Sequence, residues 1–131
     1  SNCISLSRRL RTDLGRYDSR FNLPGGGLGN LDFYKRACEH PGVTHVILPG
    51  EGTFHQFHGG VTTGGQDTAA RGAYIEASNE QYRQIRGQDY ENPRTRPIFL
   101  GEIHEQDQRF LLHSVQMAMQ MDSCVCLGKP C

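Results

Sequence analysis

The segment Val43-Thr44-His45-Val46-Ile47-Leu48 constrains the fold more than any other part of the chain. It is β-branched and apolar, so it reads as a strand, and Pro49-Gly50 stops it. Helical patterns lie on both sides. Upstream, Asn30 or Asp32 can cap a helix over residues 31–40, which Pro41-Gly42 ends. Downstream, a long helical pattern covers about 69–87 and stops at Gly87 and Pro93. Its buried side is expected to be Ala73, Tyr74, Ala77, Tyr82 and Ile85, with Glu80, Arg83 and Arg86 in water. Pro97-Ile98-Phe99-Leu100-Gly101 reads as a second short strand. A last helix is expected over about 106–121, with Leu111, Val115, Ala118 and Met119 at core spacing. At the start, Leu6, Leu10, Leu14 and Tyr17 recur along one helical face through the arginine-rich residues 5–20. A short extended segment at 21–23 follows.

Strands alternating with helices predict an α/β fold: a small layered sheet with flanking helices, partial Rossmann-like in character. Three strands are few for a complete domain of that kind. Either further strands sit in the glycine-rich segments, or a partner chain completes the sheet. The 131 residues suit a single α/β domain over 1–122, followed by a cysteine-containing tail over 123–131.

The 14 basic and 14 acidic residues balance, which argues against a chain built mainly to hold nucleic acid or an anionic membrane. No apolar run reaches the length of about 20 residues that spans a bilayer. Cys3, Cys38, Cys124, Cys126 and Cys131 are an odd set with three crowded together, unlike a disulfide framework, and point to a reducing, cytoplasmic setting. The opening Ser1-Asn2-Cys3 has neither an initiator methionine nor a signal-peptide pattern, as expected of a processed or partial chain.

Two stretches carry most of the chemistry. Gly25-Gly26-Gly27-Leu28-Gly29 lets backbone amides approach a ligand just before a helix, so Gly26, Gly27 and Gly29 are candidate substrate contacts. The dinucleotide spacing fails, because its last glycine would fall on Asn30. The second stretch is Gly50-Glu51-Gly52-Thr53-Phe54-His55-Gln56-Phe57-His58-Gly59-Gly60, directly after the carboxyl end of the best strand. His55 is the candidate base, Glu51 its orienting partner and His58 a substrate contact. These three could also ligate a divalent metal, but the spacing is not that of a zinc signature, so no metal or cofactor is assigned. Arg94 and Arg96 could hold an anionic substrate, and Glu102 and His104 follow the second strand. Crowding of Cys124, Cys126 and Cys131 without a matching pair reads as free thiols.

The run from Gly26 through Leu31–Cys38, His45–Leu48 and Gly50–Gly60, together with Glu80–Gly87, resembles an uncharacterised bacterial family. Its members carry a Gly-Glu-Gly-[Ser/Thr]-Phe-His-Gln-x-His-Gly-Gly motif near sugar- and methyl-transferring domains of longer chains. The resemblance covers about residues 21–113. It implies a small-molecule ligand of sugar or nucleotide type, and group transfer or hydrolysis if there is turnover. The arginine-rich start and cysteine-rich end depart from the family, as expected of a free-standing fragment such as a mobile gene cassette product. The alternative expectation is a non-catalytic interaction module, acting as a homodimer or docked on a larger enzyme.

Overall fold

The structure is a computed structural model that describes residues 3–51, 68–113 and 116. Among these the order is α1 (Arg8–Asp13), a 3-10 turn (Pro24–Gly26), α2 (Gly29–Cys38), β1 (Val46–Ile47), α3 (Thr68–Arg86), β2 (Ile98–Phe99) and a 3-10 turn (Glu105–Asp107). Residues 108–113 are again helical. β1 and β2 pair in parallel, Val46 opposite Ile98 and Ile47 opposite Phe99. The described residues are therefore mixed, about half helical with a small two-stranded parallel sheet. It divides into two compact units, one holding residues 3–45 and 68–97, the other 46–51 and 98–113.

In the first unit, α1 is much shorter than the leucine spacing predicts. Ser7 caps it by accepting the Leu10 amide at 3.1 Å. Its end is a Schellman motif: the Gly15 amide donates to Thr12 O and the Arg16 amide to Arg11 O, with both residues left-handed (φ 73° and 65°). Tyr17 consequently leaves the helix and stacks on Phe33, ring centroids 4.5 Å apart. The segment at 21–23 is not a strand; Phe21 turns inward and is buried.

α2 begins earlier than expected, at Gly29, with Leu28 rather than Asn30 or Asp32 at its N-cap. Gly29 is buried, and Phe21 packs against it so closely that a Cβ there would lie 3.1 Å from the Phe21 Cβ. The core gathers Phe21, Phe33, Ala37, Cys38 and Tyr82. Edge-on and tilted ring contacts join Phe21 to Tyr82 and Tyr82 to Tyr90, each worth about 0.5–1.5 kcal/mol beyond burial. α3 ends where the sequence indicates, on left-handed Gly87, whose amide donates to Arg83 O at 2.7 Å. Tyr82 is buried as expected, but the rest of the inward side differs: Ser78 is buried, Ala73 and Ala77 are exposed, and Arg86 is engaged in an ion pair.

The second unit is small. Each strand keeps only two residues, of the six expected for β1 and the five expected for β2. The turns leaving them are pressed together: a Cβ at Gly50 would collide with the Glu102 carbonyl, and one at Gly101 would lie 2.9 Å from Pro49 O.

Candidate functional site

The chemistry of the first unit centres on Asp32, which is only 2% exposed. Burying a carboxylate is costly unless its lone pairs are met by charged donors. One helical turn later on α2, Arg36 supplies Nε to Oδ2 at 2.9 Å, the natural i,i+4 reach. Arg86, in the last turn of α3, adds a fork: Nε to Oδ1 at 2.7 Å and Nη2 to Oδ2 at 2.8 Å. Both guanidiniums also lie over aromatic rings, Arg36 over Phe33 at 5.4 Å and Arg86 over Phe21 at 5.5 Å.

The remaining donors fasten neighbouring backbone. Arg36 Nη1 donates to Leu14 O at 2.5 Å and Nη2 to Arg16 O at 2.8 Å. These carbonyls belong to the Schellman turn, where a cation also suits the negative end of α1. Arg86 Nη2 lies 3.0 Å from Asp18 Oδ2, and Asp18 in turn takes a fork from Arg20. Burial, the largest influence on Asp32, favours its neutral form. Hydrogen bonds from Arg86 and Arg36, with their charges, together outweigh it and hold the carboxyl below its ordinary range. The bond from Arg20 lowers Asp18 strongly. Bonding to Asp32 raises Arg86.

Against this frame lies a cleft of about 410 Å³, lined by Leu14 through Ser19 with Arg36 and Arg86. Arg16, Arg36 and Arg86 line it beside one carboxylate, Asp18, and with the buried Asp32 behind Arg36 and Arg86 included the group keeps a net positive charge. Arg16 is exposed, and among the described residues its side chain has no ion-pair or hydrogen-bond partner. Tyr17 offers a half-exposed ring beside it. The one carboxylate is held far below neutrality and is a weak base. The lining therefore suits binding of an anion more than proton transfer.

A second polar cluster joins Tyr34, His45 and Thr95. Tyr34 Oη lies 3.1 Å from His45 Nε2, and Thr95 Oγ1 lies 3.4 Å from Nδ1. Burial pushes the nearby Cys38 thiol up, keeping it protonated and poorly nucleophilic.

Of the residues singled out in sequence, His55 and His58 lie outside the described residues, as do Cys124, Cys126 and Cys131. Glu51 is exposed just past β1 in the second unit. The glycine-rich loop is turned onto its own protein: the Gly26 amide donates to Leu23 O, and the Gly27 amide donates to Tyr74 Oη at 3.2 Å. Tyr74 Oη donates in turn to Pro24 O at 2.6 Å, so a tyrosine of α3 clasps the loop. Arg94 pairs with Glu91 at 2.7 Å and its amide donates to Glu39, while Arg96 is exposed. His104 caps the 3-10 turn that follows it. Among the described residues, no three His, Cys, Asp or Glu side chains gather as a metal would require, and no helix is long and apolar enough to cross a membrane.

Sequence reasoning missed Asp18, Asp32, Arg36 and Arg86 as a group. The available signal was the density of arginine in residues 5–20, which marks a charged segment but not its partners from α2 and α3. No protein-family model, curated protein or solved structure matches this chain.

Proposed function

We propose that the chain is a small-molecule-binding protein of partial Rossmann-like character whose ligand is an anionic sugar- or nucleotide-type molecule. One observation carries this reading: the cleft at Leu14–Ser19 is lined by Arg16, Arg36 and Arg86, whose charge exceeds that of Asp18 and the buried Asp32 together. Arg36 and Arg86 are held rigidly by Asp32, so a ligand anion meets a preset positive field and orders only Arg16. Guanidinium suits phosphate or carboxylate through paired donors. The half-exposed Tyr17 ring, backed by Phe33, suits the face of a sugar or base. For turnover, the proposal keeps His55 as base with Glu51 as its orienting partner.

Calorimetric titration with ADP, glucose 1-phosphate and glucose tests the reading. The two phosphates are expected to bind and the neutral sugar not to. Arg16→Ala is expected to weaken phosphate binding by about tenfold to a hundredfold, the value of a charge-assisted hydrogen bond, with the melting temperature unchanged. His55→Ala is expected to leave that binding intact. Equal binding of glucose, or indifference to Arg16→Ala, would overturn the assignment.

A further inference from the structure

We propose that the sheet of the second unit is a docking face for a partner protein's amphipathic helix, apolar on one side and basic along its flanks. Parallel strands are ordinarily covered on both faces, because their side chains alternate between two layers of helix. In this unit the rungs Val46–Ile98 and Ile47–Phe99 point to opposite faces, and among the described residues neither face is covered. Together with Leu48 and Leu100, these side chains are 37% to 62% exposed. Among the described residues, the helical stretch 108–113 does not cover them, since Leu111 and Leu112 are themselves exposed. An apolar surface of this kind marks an interaction site.

Charge selects the occupant. Beyond the carboxyl ends of the strands, the contacts of Gly50 with Glu102 and of Gly101 with Pro49 bring the two exits together. Glu51 and Glu102 stand on those exits, with Glu105 and Asp107 following. Against these four acids, Arg109 is the one Lys or Arg among the described residues of the unit. A second copy would set acid against acid, whereas a basic-flanked helix meets opposite charge. The faces are what lie open, and a face takes a helix.

The test uses two synthetic 18-residue helical peptides, one of leucine and lysine and the other of leucine and glutamate, followed by fluorescence anisotropy against the full chain. The lysine peptide is expected to bind at least about tenfold more tightly, with hydrogen exchange slowed at residues 46–48 and 98–100. The double change Ile98→Ser with Leu100→Ser is expected to weaken it by about tenfold. Should that variant unfold the unit, Glu51→Lys with Glu102→Lys provides the second arm and is expected to reverse the preference between peptides. Equal binding of both peptides, or none at roughly millimolar concentration, overturns the proposal. So does sedimentation showing the chain pairing with itself through residues 46–48 and 98–100, which would make a second copy the occupant.

Discussion

Asp32 and Arg86 stand 54 positions apart in the chain and meet through two hydrogen bonds, of 2.7 and 2.8 Å. This pair closes α3 onto α2, and Arg36 extends the same carboxylate to the end of α1. The ion network therefore shapes the cleft and ties three helices at once.

Removing the hub should be costly. Asp32→Asn leaves two guanidiniums facing an uncharged amide in a site only 2% exposed. Breaking a buried pair typically costs 3–5 kcal/mol. Arg36 and Arg86 keep side-chain exposures of 27% and 24%, so water offsets part of the loss. A loss of about 3 kcal/mol in urea unfolding is expected. A loss below about 1 kcal/mol, the range of a surface ion pair, would mean that the network is peripheral.

The same pair sets an acid limit. The folded pKa of Asp32 lies below its ordinary 3.8, so the folded state holds fewer protons than the unfolded one. Its contribution is fully present above about pH 4 and is lost as pH falls through the folded value. Asp18 acts in the same direction. Denaturation midpoints should be level near pH 6 and decline below about pH 4, with a shallower decline in Asp32→Asn. Stability that rises on acidification would contradict this sign.

Arg16 trades backbone comfort for position. It holds φ 65°, where glycine is at ease and a residue with a Cβ is not. Arg16→Gly is expected to raise stability by about 0.5–1 kcal/mol, offset in part by a freer unfolded chain. Phosphate binding should weaken in the same variant by about tenfold to a hundredfold, as in Arg16→Ala. Loss of both stability and binding would instead make Arg16 a structural residue.

The glycine-rich loop should depend on its clasp. Tyr74→Phe removes a hydroxyl that serves both Pro24 O and the Gly27 amide. The expected cost is about 1–2 kcal/mol, with faster hydrogen exchange at Gly26 and Gly27. Unchanged exchange there would show that the loop is held by other contacts.

The helices were legible where local chemistry governs them. α3 ends on Gly87 as its glycine signal indicates, and Pro97–Gly101 does contain β2. The first helix was over-read because leucine spacing continues through residues that a Schellman turn has already taken out of the helix. Asp32 looked like an N-cap, since nothing local reveals that Arg86 will reach it from the far end of α3. The cleft was illegible for the same reason: its walls come from three chain regions, and single-sequence patterns report only local ones.

The most direct measurement of the cleft's role is amide chemical-shift mapping of the isotope-labelled chain during titration with ADP. The expected result is a set of shifts concentrated at Leu14–Ser19, displaced about tenfold to a hundredfold higher in ADP concentration by Arg16→Ala. Shifts confined instead to the stretch from Gly50 to Gly60 would place the ligand on the Glu51 and His55 segment and contradict the arginine cleft.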